Sequence, residues 1–473
     1  MADKPERFPA GFEVRLRDDV RRLRDGLLLG GSPLRAVRLS QTAQALVAPD
    51  GRIRARDATS EMLVARLIDG NLADPVLTGS VDPSLLTVVI PVRDRPDQLG
   101  RTLDSLRGVH CVVVDDASVA PAAVADVVAV HGARLLSLPD NLGPAGARNA
   151  GLREVRTPYV AFVDSDVVVD PATLLRLARH FADTRVALVG PLVRNRSRAA
   201  RPRWFERFDE QISSLALGHR ACSVRPGAAV AWLPGACLVG RTDLLGDGFA
   251  EDMRVGEDVD FVWRLLDRGH LVRYDPAETV HHDARATVHD WLGRKFYYGT
   301  GGAALAARHS GRSAPAVMSP TMALAAWAVL TRRPWSVPVI VAALAVATRS
   351  VARNLPDAPG RRVLAGRLAA KGLGWAIRQE AALALRHWWP LAALLSLRSH
   401  TVRRAVVTSL FVDAVVAHLE HPGARYAPAS RRLDDIAYGA GLWAGALRAR
   451  SIRCLLPRRP RGTPPRKTTA PHT

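Results

Sequence analysis

Two aspartates one residue apart, Asp164 and Asp166, close the apolar run of VAFVDSDVVVD. Carboxylates leaving a buried strand at this spacing suit a hard divalent cation, Mg2+ or Mn2+, which prefers oxygen ligands. Such a cation offsets the adjacent charges of a nucleotide diphosphate and the charge that develops when a bond to it breaks. The pattern is common by chance, and two solvated loop carboxylates are the alternative. VVVDDAS also ends in carboxylates, Asp115 and Asp116, where one can accept from a pyrimidine imide N–H while a turn or cap role competes for the other. IPVRDR sets Arg93 and Asp94 near the same base, and LGPAGARNAG makes a tight turn into a helix N-terminus, with Arg148 available for a diphosphate. Farther on, Glu257 and Asp258 precede FVWRLL. A carboxylate there either caps the helix or acts as the general base that deprotonates an attacking hydroxyl.

These residues need a scaffold that brings strand ends together. From Leu85 onward, LLTVVIPV, HCVVVDDAS, ARLLSL and YVAFVDSDVVVD read as buried strands. They alternate with the helical patterns PDQLGRTLDSL, AAVADVVAVHG, GPAGARNAGLREV and PATLLRLARHF. Alternation of this kind predicts an α/β, Rossmann-like domain: an open, mainly parallel sheet with helices on both faces. Its ligand edge lies at the carboxyl ends of the strands, where the acidic residues fall.

The flanks differ. Residues 1–80 predict a small α+β unit: short strands around a Gly-Gly turn, then a helix over TSEMLVARLIDG with Thr59 or Ser60 as N-cap. A linker rich in Pro, Gly and Asp follows. After about residue 302 the strand–helix repeat is lost, and 303–455 reads as helical, with 456–473 as a basic disordered tail. Ser313–Thr331 has no charged residue and is the marginal candidate for a membrane span, whereas the later apolar pieces fit interfacial helices. A soluble helical subdomain is the alternative.

At 473 residues the chain is too long for one ordinary domain. Its net charge of +21 is concentrated C-terminally, with 25 Lys+Arg against 6 Asp+Glu from His309 to Thr473. The tryptophans there (Trp327, Trp335, Trp388, Trp389) lie within apolar segments, which favours an anionic membrane face over nucleic acid. Four cysteines without a CxxC pair fit a reducing cytosol, and the first twelve residues hold no apolar run resembling a signal peptide.

IPVRDR, VVVDDAS, NLGPAGARNAGL, VAFVDSDVVVD and GEDVDFVWRL, in this order over about Leu85–Gly302, resemble the inverting glycosyltransferases of family 2, which have the GT-A fold. The resemblance implies a nucleotide-sugar site built from Pro91, Arg93, Asp94, Asp116, Gly143, Arg148, Asp164 and Ser165. Asp116 would contact the nucleobase and Asp164 the ribose and metal. Asp166 is implied as a metal ligand, and a C-terminal histidine, His281 or His282 with His281 preferred, as another; a satisfied core histidine is the alternative. Asp258 is implied as the base for in-line attack, with Gly235, Ala236 and Glu257 on the acceptor side. GDGFAED stands where the family often has GGFDE, leaving Glu251 and Asp252 without a matched role. The absence of QxxRW argues against cellulose-synthase-like processivity.

Across the whole chain the arrangement is similar to the mycofactocin-biosynthesis branch of that family. This likeness implies UDP-glucose as donor, a peptide-derived acceptor carrying β-linked glucose, and attachment through 313–455 to the cytoplasmic face of the cell membrane. Residues 1–80 are weakly similar to winged, PqqD-like peptide-recognition domains, which implies docking of the acceptor or its carrier protein. The competing expectations are a family 2 enzyme acting on a cell-envelope lipid or polysaccharide, and a non-catalytic sugar-nucleotide or membrane-binding protein. A nucleotidyltransferase would carry a glycine-rich loop with lysine after the first strand, which IPVRDRPDQ lacks.

Overall fold

The structure is a computed structural model that describes residues 8–23, 26–309, 311–355 and 360–460. From residue 461 on, the expected basic tail lies outside the described residues. The chain divides into two compact units, Met1–Val288 and His289–Thr473.

The first unit opens with two small three-stranded antiparallel sheets. One has the order β5-β1-β6, built from β1 (Glu13–Leu16), β5 (Arg52–Arg54) and β6 (Ala73–Pro75); the other pairs β2 (Arg21–Arg22), β3 (Leu27–Gly30) and β4 (Arg35–Arg38). A short helix α1 (Gln41–Ala45) and a longer α2 (Ala58–Asp69) complete this lobe. Val14, Ile53, Val64, Leu67, Ile68 and Leu72 form its core. The N-cap of α2 is Asp57, a correction to Thr59 or Ser60. Its carboxylate accepts the Ser60 N–H at 2.8 Å, while Ser60 Oγ accepts the Asp57 N–H at 3.0 Å. This reciprocal capping box uses Ser60 as the inner partner and is worth about 1 kcal/mol.

The larger part of the unit follows the predicted alternation: β7 (Leu86–Val92), α3 (Pro96–Ser105), β8 (His110–Asp115), α4 (Pro121–Val130), β9 (Arg134–Ser137), α5 (Gly143–Glu154) and β10 (Tyr159–Val163). Beyond these come β11 (Val167–Val168), α6 (Pro171–Ala178), β12 (Val186–Arg196), α7 (Trp204–Gln211), β13 (Cys222–Ser223), β14 (Cys237–Arg241), α8 (Glu257–Asp267) and β15 (Leu271–Asp283). The sheet runs β9-β8-β7-β10-β14-β12-β15-β11, with β13 on β15. From β9 to β10 all pairs are parallel, which suits runs such as Val88-Val89-Ile90 and Val112-Val113-Val114 that are buried on both faces. Next to β10 the direction reverses: β14 runs antiparallel to both β10 and β12, so the sheet is mixed on that side. The reversal brings the turn before β14 to the ligand edge beside the end of β10.

The second unit is helical: α10 (Gly302–Arg308), α11 (Pro320–Thr331), α12 (Ser336–Asn354), α13 (Arg361–Ala382), α14 (Trp389–Arg398), α15 (His400–Glu420) and α16 (Pro428–Arg448), preceded by α9 (Val288–Thr300), which begins at the unit boundary. Alanines let α11, α12 and α13 approach, with Ala325, Ala326, Ala343 and Ala376 buried around Leu373. The expected spanning candidate moves. Pro320 starts α11 late, so the uncharged stretch from Ser313 supplies only a 12-residue helix. Among the described residues α12, with 19, is the one helix long and apolar enough to cross a membrane.

Candidate active site

Strand β10 delivers Asp164 to the sheet edge, where its N–H donates to the Ala236 carbonyl at 3.0 Å and so ties the D-x-D turn to the start of β14. Asp164 Oδ1 accepts from Arg148 Nη2 at 2.6 Å, and Arg148 Nη1 donates to Glu257 Oε1 at 2.9 Å. Arg148 also reaches the Gly235 carbonyl, and its guanidinium lies over the Phe249 ring. Burial works against its charge, but Asp164 and Glu257 more than restore it, so its pKa stands above the ordinary value. Arg148 was expected on a diphosphate. The structure instead buries it, 3% exposed, as the link between the carboxylates of β10 and α8.

Asp166 is held more tightly. Its Oδ2 accepts from Arg95 Nη1 at 2.7 Å and lies 3.4 Å from Arg285 Nη2; its Oδ1 is 3.4 Å from His282 Nε2. Asn195 Nδ2 donates to the Asp209 carboxylate at 2.6 Å, which turns Asn195 Oδ1 toward His282 Nδ1 at 3.0 Å. The imidazole proton therefore belongs on Nδ1, and the Nε2 lone pair faces Asp166. Two lone-pair donors aimed at one place fit a divalent cation, whose adjacent octahedral ligands sit roughly 3 Å apart. Among the described residues no three His, Cys, Asp or Glu side chains form a metal-holding group. Asp166 and His282 alone would leave most of such a cation's shell to water or phosphate oxygens.

Of the two histidines, His282 and not the preferred His281 is the one beside Asp166. Alternation along β15 turns successive side chains to opposite faces, and His281 pairs across from Arg194. Burial, then Arg196, Arg194 and Arg198, lower its pKa. The signal was present in the sequence: His282 is two residues from the fully buried Val280 and shares its face.

The loops after β7 and β8 knit together. Val119 N–H donates to Asp94 Oδ1 at 2.6 Å, and Asp94 N–H to Ser118 Oγ at 2.9 Å, with Asp94 at φ 54°. Arg93 is exposed beside Asp94, and Pro91 lies half-buried at the strand end. Asp115 accepts from Ser118 N–H in a turn role. Asp116 is buried and accepts from the amides of Leu142 and Gly143 at 2.7 and 2.9 Å. It thereby fixes the glycine turn, where Gly143 has φ 78°, a conformation glycine adopts without penalty. The Ser165 carbonyl accepts from Thr102 Oγ1 at 2.9 Å.

Across the site, Asp258 is oriented by two amides: Gly235 N–H donates to Oδ2 at 2.9 Å and Val259 N–H to Oδ1 at 2.8 Å. Burial, reinforced by Glu257 next to it, raises its carboxyl to about 7 against the pull of those amides and Arg148. Sequence reasoning missed Asn149, which grips the stretch before α8. It exchanges two hydrogen bonds with the Phe249 backbone and donates to Glu251 at 2.9 Å. Arg95 and Arg285 were also missed, since single arginines in loops carry no spacing signal. Asp252 is exposed.

Residues 87–247 match the family model "Glycosyl transferase family 2". Over 466 residues the chain is 40% identical to the pre-mycofactocin glycosyltransferase of Mycobacterium tuberculosis, covering 95% of this chain and 98% of that relative. The chain belongs to glycosyltransferase family 2. This transferase is also 38% identical over 99 residues to the succinoglycan biosynthesis protein ExoO of Rhizobium meliloti, 20% of this chain and 28% of that one. Among solved structures, a mannosyltransferase from Pyrobaculum calidifontis in complex with GDP-Man and Mn2+ matches with TM-score 0.37 and 20% identity over 72% of this chain and 89% of that one.

Proposed function

We propose that this family 2 transferase moves glucose from UDP-glucose, with inversion, onto a hydroxyl of a peptide-derived pre-mycofactocin acceptor. The observation that carries the reading is Asp258. Its carboxylate is held by the Gly235 and Val259 amides, and Arg148 ties its neighbour Glu257 to Asp164. A carboxyl near 7 is a much stronger base than an ordinary aspartate and remains substantially ionised at neutral pH.

In this reading Asp258 takes the acceptor hydroxyl proton as the oxygen attacks the anomeric carbon and the bond to the diphosphate breaks on the opposite face. Asp116, Asp94, Arg93 and Pro91 bound the nucleobase side, with Gly143 and Ser165 completing the donor wall. Asp164 takes the ribose, and Asp166 with His282 would hold Mg2+ or Mn2+. When bound, such a cation neutralises charge on the departing diphosphate. Gly235, Ala236 and Glu257 line the acceptor side.

The acceptor assignment is supported by the 40% identity over nearly the whole length of a relative named pre-mycofactocin glycosyltransferase, and the donor assignment by the family resemblance of the sequence motifs. By extension, residues 1–80 serve acceptor or carrier recognition, 85–302 transfer, and 303–455 attachment to the cytoplasmic face of the membrane. Supporting attachment, Val337, Val341 and Val346 of α12 are exposed, as are Leu394, Leu397, Phe411 and Leu419 on later helices. Mass spectrometry of pre-mycofactocin incubated with the full chain, UDP-glucose and Mn2+ tests the assignment. Gain of hexose is expected, and an unmodified acceptor would overturn it.

A further inference from the structure

The segment that leads to Gly235 is anchored at its far end by the N-terminal lobe. Asn71 is fully buried with φ 56°, just past the end of α2. Its Oδ1 accepts the Ser223 N–H at 2.6 Å, and its Nδ2 donates to the Ser223 carbonyl at 3.1 Å and to the Ser32 carbonyl at 2.9 Å. Accepting and donating to one residue is how a neighbouring strand pairs. On its other side β13 pairs with β15, so Asn71 acts as a one-residue strand partner for Ser223. Six residues on, the Ala229 N–H donates to Ser32 Oγ at 2.7 Å.

Between these anchors the chain turns at Arg225–Val230, whose ends are joined by Arg225 N–H to the Val230 carbonyl. It then reaches the base helix. Trp263 Nε1 donates to the Ala231 carbonyl at 2.8 Å, and Gly235 N–H to Asp258. Residues 223–235 are thus suspended between Asn71 and Ser32 at one end and α8 at the other. Among the described residues, the side-chain hydrogen bonds of Asn71 and Ser32 go to Ser223, Ala229 and each other, and not to the donor-side residues.

We propose that Asn71 and Ser32 are positioning residues for the acceptor: they hold the 223–235 segment so that Gly235 presents its amide to Asp258 and shapes the acceptor wall. This rests on the reading that the Gly235–Asp258 side receives the acceptor. Loss of these bonds leaves buried backbone groups of Ser223 without partners, which loosens the segment without touching the donor loops.

The test compares Asn71→Ala, Ser32→Ala and Asp69→Ala in the full chain, using hydrogen–deuterium exchange and kinetics with UDP-glucose and pre-mycofactocin. Asp69 pairs with Arg185 just before β12 and meets 223–235 through its charge on Arg225 rather than through the bonds to Ser223 and Ala229, so its variant controls for general loosening of the lobe. Asn71→Ala is expected to raise exchange at 224–236 and to raise the acceptor KM by about tenfold, with donor KM within about twofold. Ser32→Ala, at a partly exposed hydroxyl, is expected to do the same by about threefold and carries the test if Asn71→Ala does not fold. Wild-type exchange and acceptor KM in both variants would overturn the proposal. So would an equal effect of Asp69→Ala, or a donor KM that rises in step. If the wild-type enzyme leaves pre-mycofactocin unmodified, the acceptor reading fails by itself. Exchange at 224–236 then still decides the clamp: raised supports it, unchanged overturns it.

Discussion

At the scale of the residue, the account turns on Asp258 and on which histidine faces Asp166. Asp258→Asn keeps the shape and can accept from one of the two amides, Gly235 or Val259, but removes the base. It is expected to lower kcat by about 100-fold or more while donor affinity stays unchanged, as measured by UDP release and donor titration. The pH dependence follows from the same group. An aspartate ordinarily ionises near 3.8, but burial and Glu257 raise Asp258 to about 7, so the active carboxylate is gained above that value and lost below it. The acid limb of kcat/KM is therefore expected near pH 7 rather than near 4. A profile flat down to pH 5 would count against Asp258. His282→Ala is expected to raise the Mn2+ concentration for half-activation about tenfold or more, and His281→Ala to leave it unchanged. Equal effects of the two would contradict the tautomer assigned through Asn195.

At the scale of the element, α5 and α8 converge on Arg148, which couples the D-x-D turn to the base helix. Replacing it by Met leaves Asp164 and Glu257 without the cation between them, and a broken buried pair costs about 3–5 kcal/mol. A large fall in thermal stability by calorimetry is expected, and an unchanged midpoint would show that the pairing is not needed. The strands from β7 to β10 were legible because each is a short apolar run between turn residues, and their ends predicted where the carboxylates meet. The helices announced themselves similarly, Leu99 and Leu103 marking the buried face of α3. Local pattern could not supply the reversal at β14, since antiparallel direction depends on a long connection through α7 and β13. The role of Arg148 was hidden for the same reason: its partner Glu257 lies 109 residues away. The α2 cap was misread because Thr59, Ser60 and Asp57 are all good capping residues, and only geometry ranks them.

At the scale of the whole molecule, the two compact units carry different chemistry: an α/β transferase unit with its N-terminal lobe, and a helical unit with exposed apolar side chains. All four cysteines are free and buried. Full-length protein is expected to float with anionic phospholipid vesicles in a density gradient, and Val337→Asp combined with Val341→Asp and Val346→Asp to reduce that fraction severalfold. Unchanged flotation of the triple variant would remove α12 from membrane attachment. Donor, acceptor and inversion meet in one observable, the anomeric configuration of the product. The decisive measurement is NMR of pre-mycofactocin treated with the full chain, Mn2+ and 13C-labelled UDP-glucose. The account predicts a new β-linked glucose signal that is absent with Asp258→Asn; an α-linked product, or β-transfer undiminished in that variant, would contradict it.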